Sequence, residues 1–537
     1  MRTLRLHGLL LTAVATFCSS ATTFAQPAPA APPAREVRRL TLEAAVRQGL
    51  EQNLGIQVAR FAPQVLDLTI AQLVASWNPS LTTSIAGSSV DTPNTSLFSG
   101  AAGPKTTDHR LLSNVSLTQT LRRGGSYSIG WDNSRSTTTN IFSNFSPQVN
   151  SSLSVSIVQP LLRNFRIDSV RQQVEVAGKN RDVSNLTLQA SILNTSRAVR
   201  NAYWDLSYAI AFLKVQQQSL QLAQESLRQN RARVEIGTMA PLDIVAAESE
   251  VAQREEAVIV AEAGIDRAED VLRVLIYDAS SPDFWTVRIE PGDEAPFQAT
   301  PVDVDGAVRR ALDRRTDLQQ SRKALEATDV NIRYFENQIL PEVNAVFDYG
   351  LAGLGGSQLV RGDGFPGPIV GRTNRSFGSV LGDLFGNDFP RWTLSLNVRY
   401  PLGASPQEST LARTRLQSSQ AQAQLKNQQV QVAAQVRDAG RTVQMNQKRV
   451  ASTRVSRGLA ERRLEAEEKK FAAGQSTSFF VFQAQRDLAL AQNNELRAVL
   501  DYNKALVDFE TIQEAPPGGA ATVATVGTAA PEVQLQF

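Results

Sequence analysis

Few side chains in this sequence could carry out catalysis or bind a metal ion. The chain has one cysteine, Cys18, and two histidines, His7 and His109. A zinc or thiolate site needs three or four such ligands close together. The carboxylates of Glu255 and Glu256 could form an acid–base pair, but they lie among many charges on a predicted helix, where a solvated face explains them. We therefore predict no catalytic residue, no metal and no cofactor, and we expect that the protein is not an enzyme.

The overall composition excludes further classes of protein. Charge is nearly balanced, with 55 lysines and arginines against 52 aspartates and glutamates, so a nucleic-acid partner is not expected. Only Met239 and Met445 follow Met1, which does not support a thioether route for soft metal ions. Function must therefore be sought in the architecture rather than in a reactive site.

The N-terminus has the features of a secretory signal peptide. Two arginines precede an apolar run from Leu9 to Phe17, and Thr23-Phe24-Ala25 is a suitable cleavage site. The bulky Phe17 before Cys18 argues against lipidation of that cysteine. No segment offers the roughly 18 consecutive apolar residues of a transmembrane helix. If the chain crosses a membrane, it must do so with strands.

The pattern that organises the rest of the chain is a long helical hairpin that occurs twice. Residues 199–275 align with residues 436–512 at a constant offset of 237, which indicates a repeat architecture. Apolar residues recur at steps of three, four and seven, as in a coiled-coil seam. A helix from Asp168 to Ile236 would be roughly 100 Å long. Gly237 and Gly474 suit the positive-φ turn that ends the first helix of each hairpin.

Before each long hairpin the periodicity changes from helical to alternating. A helix that opens at Thr41 and extends to Trp77, with an interruption near Asn53, is followed by Pro79; a second helix, from Asp303 to Ile339, is followed by Pro341. After each proline, apolar and polar residues alternate as in a strand with two different faces. A lipid-facing barrel strand requires this pattern, and a soluble sandwich shares it. The juxtaposition with such long helices favours the membrane interpretation.

Both halves return from strand to helix through a proline. Pro160 and Pro401 fix φ and donate no ladder hydrogen bond, so we predict a strand-to-helix swivel at each. The first half also carries an additional hairpin over residues 115–133. The connections 89–110 and 353–390 are rich in Gly, Ser, Asn and Asp and are expected to face solvent.

These observations predict six segments in the chain. They are a signal peptide (1–25), a Pro/Ala-rich linker (26–39), a first repeat (40–277), an inter-repeat linker (278–301), a second repeat (302–513) and a disordered tail (514–537).

In this order the motifs resemble those of the TolC-like outer membrane efflux proteins. The resemblance covers about residues 40–511 and implies an α+β membrane protein with two internal structural repeats. In such a protein, a homotrimer forms one outer-membrane β-barrel that is continued by a long periplasmic α-helical coiled-coil barrel. The motifs that carry the resemblance are Leu40-Thr41-Leu42-Glu43-Ala44-Ala45, Pro79-Ser80-Leu81, Gln159-Pro160-Leu161, and Gly237-Thr238 with Asp243.

The resemblance also implies a function and partners. It implies a passive export channel, located in the outer membrane with a periplasmic helical domain, that serves a tripartite efflux pump or a type I secretion system. The implied partners are outer membrane lipid, a periplasmic adaptor (membrane fusion) protein, and an inner-membrane pump or ABC exporter. The alternative is a periplasmic coiled-coil adaptor, which would need one hairpin flanked by a compact β domain.

The resemblance places a gate at the hairpin tips, where this chain departs from the family pattern. Asp243 resembles an acidic residue that the family pairs with a basic residue, but the basic position falls at Ser476, and the acidic ring positions fall at Phe480 and Gln483. Either nearby phenylalanines form an apolar constriction that closes by dewetting, or they pack in the seam of their own hairpin. The predicted tip residues are Gly237, Thr238, Asp243, Gly474, Ser476, Phe479, Phe480, Phe482 and Gln483.

Overall fold

The computed structural model describes residues 37–95, 100, 102–293, 297–403 and 405–518. The predicted signal peptide, most of the Pro/Ala-rich linker and most of the predicted tail lie outside these residues. The elements are, in chain order, β1 (Val37–Leu40), α1 (Leu42–Gln52), α2 (Leu54–Ala75), β2 (Ser80–Pro93), β3 (Lys105–Thr120), β4 (Ser126–Thr138), β5 (Phe145–Pro160), α3 (Ser169–Glu235), α4 (Leu242–Ile276), β6 (Arg288–Pro291), α5 (Val304–Arg314), α6 (Thr316–Gln338), β7 (Glu342–Arg361), β8 (Ile369–Arg375), α7 (Phe377–Phe385), β9 (Pro390–Arg399), α8 (Pro406–Ala472) and α9 (Ser478–Thr511).

Two long helical hairpins, α3–α4 and α8–α9, form the helical part. Helices α3 and α8 each have 67 residues, which corresponds to about 100 Å. Each begins at a side-chain cap: Asp168 accepts from the amide of Arg171, and Ser405 forms a capping box with Glu408. The prediction of a helix over 168–236 is therefore confirmed. None of the helices among the described residues has an apolar stretch of the length that a bilayer requires.

The two hairpins pack side by side, and their helices lie in the order α4, α3, α9, α8. One core cluster surrounds Tyr203, Leu206 and Leu272, while the other surrounds Val436 and Tyr502. The Tyr203 hydroxyl donates to the carbonyl of Leu40 at 3.1 Å, and burial raises the pKa of Tyr203 to about 12. The two core clusters include Ala45 of α1 and Ala307 of α5, so these short helices are held against the middle of the long ones.

Each hairpin is preceded by a pair of shorter helices with a break between them. Asn53 ends α1 and caps α2, as the sequence predicted, by accepting from the amide of Ile56 at 3.2 Å. The prediction of one helix from Asp303 to Ile339 is wrong, because the chain breaks again at Arg315. Arg315 is 2% exposed and donates to Asp317 at 3.0 Å and to Gln435 at 2.8 Å. Nothing about an arginine marks a helix break in the sequence; its burial against α8 sets this one.

Parts of the predicted linkers and tail belong to the packed structure. Strand β1, in the 26–39 linker, pairs in parallel with β6, in the 278–301 linker. Ile289 in β6 is buried in the first core cluster. Within the predicted tail, the Glu514 carbonyl accepts from the amide of Thr316 at 2.9 Å and Ala515 is fully buried. These segments bind the two halves together.

The remaining strands form one antiparallel sheet in the order β2-β3-β4-β5-β7. Strand β9 pairs with residues 342–351 of β7, and β8 pairs with residues 356–361 of β7. The predicted hairpin at 115–133 is present as β3–β4, which the turn at Gly124, with φ of +83°, closes. The predicted solvent-facing connections are shorter than expected. Strand β2 continues to Pro93, and 353–390 contains the end of β7, all of β8 and helix α7.

The two faces of this sheet differ sharply in polarity. One continuous row of paired residues runs across six strands with only large apolar or aromatic side chains: Leu81, Leu117, Ile129, Val155, Tyr349 and Trp392. The adjacent row on the opposite face is polar throughout: Ser80, Thr118, Ser128, Ser156, Asp348 and Thr393. The alternation predicted from the sequence is therefore in register over all six strands.

Replacing Arg315 by alanine should destabilise the helical part by about 3 kcal/mol, because it leaves the buried carboxylate of Asp317 without its cation. The matched control is Arg437→Ala, which removes an ion pair to Asp305 that also joins α8 to the α5 segment but is exposed; its effect should be under about 0.5 kcal/mol. The measurement is the thermal transition of the purified protein in detergent, followed by circular dichroism. Equal transitions for the two variants would contradict a structural role for the break at Arg315.

Candidate functional site

The candidate site is the pair of turns at the ends of the hairpins. In the first turn Gly237 has φ of +76°, and the amide and hydroxyl of Thr238 both donate to the carbonyl of Arg233, at 2.9 and 3.0 Å. In the second turn Gly474 also has φ of +76°, and the next amide returns to the carbonyl of Lys470 at 2.8 Å. Only the backbone angle demands glycine at both positions, since a Cβ would meet no atom within 4 Å. The two turns thus have the same construction.

The structure joins Asp243 of the first tip to Ser478 of the second, rather than to Ser476, the position where the family pattern has a basic residue. Asp243, in the first turn of α4, accepts a hydrogen bond from the hydroxyl of Ser478 at 3.2 Å. The hydroxyl of Ser476 instead donates to Glu467, within its own hairpin, at 3.0 Å. The contact that joins the tips at Asp243 is therefore a hydroxyl that donates to a carboxylate, a hydrogen bond with one charged partner rather than a salt bridge.

A second contact between the tips involves an arginine and an aromatic ring. The guanidinium of Arg233, in the last turn of α3, lies 4.2 Å from the ring centroid of Phe471 in α8, a favourable cation–π distance. These residues line a cleft of about 200 Å³ between α3, α8 and α9. Its floor includes Phe482 and Gln485.

The three predicted phenylalanines have different environments. Phe482 is 7% exposed, beside Val481 on the buried side of α9, whereas Phe479 and Phe480 are 64% and 50% exposed. The rings of Phe479 and Phe480 meet edge to face with centroids 5.6 Å apart. Gln483 is exposed. Phe482 is thus buried beside the cleft between α3, α8 and α9, and only Phe479 and Phe480 are exposed enough to form an apolar constriction.

A buried charge cluster, which was not predicted, lies above the tips. Glu250 of α4 is 2% exposed and accepts from Arg254 at 2.8 Å on its own helix and from the Nε of Arg486 on α9 at 2.9 Å. Burial by itself would raise the pKa of Glu250, but the hydrogen bonds from Arg486 and Arg254 outweigh it and leave the pKa below its usual 4.5. Glu250 therefore stays ionised at neutral pH and joins the first hairpin to the second.

The sequence does contain a signal for this cluster. Glu250 follows the fully buried Ala247 by three residues, so both lie on one face of α4. An acidic residue on a seam of small apolar residues, with Arg254 four positions later, indicates a buried ion pair. The partner on α9 could not be predicted, because only the packing of the two hairpins brings Arg486 within reach.

The two predicted swivel prolines lie between strand and long helix. Pro160 is the last residue of β5 and is buried, and the next amide, of Leu161, donates to Val343 at 2.8 Å. Pro401 follows β9 and is exposed, two residues before Gly403 with φ of +106°. Among the described residues, no group of three or more His, Cys, Asp or Glu side chains is arranged to hold a metal ion.

The different burial of the phenylalanines gives a direct test. Phe482→Ala should destabilise the helical part by about 3 kcal/mol or more, because it leaves a cavity where α9 packs beside α3 and α8. Phe480→Ala should change stability by less than about 0.5 kcal/mol, since the ring is half exposed. Thermal unfolding of both variants in detergent is the measurement. A structural role for the buried Phe482 ring is contradicted if the two variants unfold at the same temperature.

Comparison with known proteins places this architecture among outer membrane channels. No curated protein sequence matches the chain. Three solved structures illustrate the likeness. A structure of CusC, described in terms of transmembrane channel formation, is 13% identical, with a TM-score of 0.63 and coverage of 93% of this chain and 100% of that one. The CmeC outer membrane channel of Campylobacter jejuni is 12% identical, with a TM-score of 0.60 and coverage of 88% and 85%. The outer membrane protein VceC of Vibrio cholerae is 16% identical, with a TM-score of 0.59 and coverage of 88% and 96%.

At these identities the structures establish a shared fold, and the family comes from the sequence model. The model of the outer membrane efflux protein family matches residues 122–276 and 307–512. Each stretch contains one of the long hairpins, and together they make up more than half of the 537 residues. The chain belongs to the outer membrane efflux protein family.

Proposed function

We propose that the protein is a TolC-like, passive export channel of the outer membrane that works as a homotrimer. The observation that supports this most directly is a sheet with one apolar and one polar face, joined without a domain boundary to helices about 100 Å long. The apolar face would contact lipid and the polar face would line water. The helices would continue the same conduit through the periplasm.

The need for several copies follows from surfaces that one copy leaves uncovered. An antiparallel sheet with two free edges cannot close a barrel by itself. Helices α4 and α8, on the two flanks of the hairpin layer, also expose apolar side chains that a neighbouring helix would cover. On α4 they include Val260, Val271 and Val274, and on α8 they include Val430, Val455 and Leu459. Three copies, each contributing both of its internal repeats, would complete a sheet barrel and a helix barrel.

The proposed partners are a periplasmic adaptor (membrane fusion) protein and an inner-membrane pump or ABC exporter, as in a tripartite efflux or type I secretion system. The first tip exposes three apolar side chains, Ile236, Leu242 and Val245, which suit contact with an adaptor. The energy for transport would come from the inner-membrane partner, since we propose no catalytic role for this chain. A periplasmic adaptor function for the chain itself is disfavoured by the two hairpins and the large sheet.

For gating we propose two layers at the periplasmic end. Phe479 and Phe480 would form an apolar constriction at the tips that excludes water when closed. The pair between Glu250 and Arg486 would hold the two hairpins of each copy together above it. Opening would then require separation of the hairpins and exposure of a buried carboxylate.

The proposed function predicts where the protein is found and what it does in a membrane. It should sediment with the outer membrane, require detergent for extraction, run as a trimer in detergent and conduct ions in planar lipid films. Membrane fractionation, size measurement in detergent and single-channel recording test these expectations. A monomer that stays in the periplasmic fraction without detergent and does not conduct would support the adaptor alternative and exclude the channel.

The gate hypothesis predicts a conductance increase when either layer is removed. Phe480→Ala should raise single-channel conductance several-fold, because a methyl group no longer dewets the constriction. The matched control, Leu490→Ala, removes an exposed apolar side chain higher on α9 and should leave conductance unchanged. An unaltered conductance for the Phe480 variant would remove the apolar gate from the proposal.

The charge layer predicts a pH dependence of known sign. Because the pKa of Glu250 is lowered in the folded state, its pair with Arg486 stabilises the closed form at neutral pH and is lost as the pH falls below the usual 4.5. Conductance of the unaltered channel should therefore rise as the pH falls from neutral to values below the usual pKa of 4.5. Glu250→Gln should conduct more at neutral pH and lose most of this pH dependence. A variant that keeps the full pH response would show that another group controls opening.

A further inference from the structure

The sheet contains two strands, β3 and β4, that connect only to other strands and to no helix. The hairpin β3–β4 lies inside the sheet, between β2 and β5, rather than beside it. Its pairing is continuous: Thr83 pairs with Val115, Val115 with Trp131, and Trp131 with Leu153. The hairpin also continues the apolar and polar rows without a shift of face. It is therefore part of the same wall as the other strands.

Both ends of this wall are bare strand edges. Among the described residues, β2 pairs only with β3, and β9 pairs only with β7. All 14 residues of β2 are exposed, and no charged residue or proline occurs between Ser80 and Val90. In β9 the only charges are Arg391 and Arg399, near the two ends. Edge strands that face solvent normally carry charges, prolines or bulges that prevent pairing. The middle parts of β2 and β9 carry no charge or proline, so these two edges are suited to pair with another strand.

The directions of the two edge strands fit each other. Strand β2 starts next to the helices at Ser80, whereas β9 ends next to the helices at Arg399, and all pairings between them in the sheet are antiparallel. With an even number of strands the first and last run in opposite directions. A second copy can therefore add its β2 to β9 in the same antiparallel pattern. The apolar faces then match, because Leu81, Trp392 and Leu394 lie on the same side of the sheet.

We propose that the hairpin β3–β4 is part of the closed wall of the channel, in addition to β2, β5, β7 and β9, the four strands that connect to the helical part. This rests on the proposed trimeric channel, in which the edge of β9 would meet the edge of β2 of the next copy. Strand β8 pairs with β7 beyond the end of β9 and is not counted, so each copy contributes six strands and three copies place eighteen strands in one ring. A ring of that size leaves an open aqueous channel rather than an interior filled by side chains. The membrane part is then wide, and the narrow point of the conduit lies at the helical tips.

Disulfide cross-linking tests directly whether β9 pairs with β2 of the next copy. In a Cys18→Ser background the chain has no other cysteine. Thr83→Cys is combined in turn with Leu394→Cys, Leu396→Cys and Val398→Cys, whose side chains share its face. The matched controls combine Thr83→Cys with Thr393→Cys, Ser395→Cys or Asn397→Cys, which lie on the opposite face. Oxidation of outer membranes, followed by denaturing electrophoresis without reductant, should convert monomer into covalent dimer and trimer for one or two same-face pairs and for none of the controls.

A second pair of cysteines tests whether the hairpin is in the wall. Strands β2 and β5 are separated by β3 and β4, so they lie about 14 Å apart, beyond the roughly 7 Å that a disulfide can bridge. Thr83→Cys with Leu153→Cys should therefore form no cross-link within or between copies. Thr83→Cys with Val115→Cys, on adjacent strands, should form an intramolecular cross-link.

The outcomes separate this proposal from the channel function. Efficient cross-linking of Thr83→Cys to Leu153→Cys would show that the hairpin leaves the wall and would overturn the eighteen-strand ring. A conducting trimer in which no cysteine pair joins β2 to β9 would overturn the eighteen-strand ring, because that ring closes through these two strands, and would leave the channel function intact. A monomer that does not conduct would overturn the channel itself.

Discussion

The rest of the structure depends on where the backbone hydrogen bonds of the sheet are satisfied. Inside a bilayer no water is present to pair with a free amide or carbonyl, so each strand must have a neighbour on both sides. One copy of this chain satisfies that condition for β3, β4, β5 and β7 but not for the outer edges of β2 and β9. In the proposed channel one copy would therefore be incomplete alone, and its partner would present the same kind of antiparallel edge.

The helical part meets a different requirement, which is to remain straight over a long distance while packing closely. Its seams use small residues such as Ala202, Ala223 and Ala247, all buried, so neighbouring helices can approach one another. The shorter helices cover the middle of α3 and α8, and their breaks at Asn53 and Arg315 let the chain follow that surface. Strands β1 and β6 then tie the beginning of the first half to the link between the halves.

At the tips, packing and charge stabilise the same contact in different ways. Val481 buries apolar area within the second hairpin and Phe482 is buried beside the cleft between α3, α8 and α9, whereas the buried Glu250 and the half-exposed Arg486 join the two hairpins. A buried carboxylate is costly when its cation leaves, so the charge pair disfavours separation of the hairpins. The exposed Phe479 and Phe480 add an apolar surface that would face a neighbouring copy in the proposed trimer.

The sequence by itself determined the elements, because their periodicities are local. The helical spacing predicted α3 almost to the residue and, through the repeat, the presence of α8; the alternating runs predicted the strands, and Gly237 and Gly474 marked the turns that require positive φ. The offset between the halves also predicted that the element order would recur. Contacts between segments that are far apart in the sequence could not be predicted from it. The break at Arg315, the position of β3–β4 inside the sheet, the burial of Phe482 and the partner of Glu250 were decided only by tertiary structure, since each depends on which residues of distant segments come into contact.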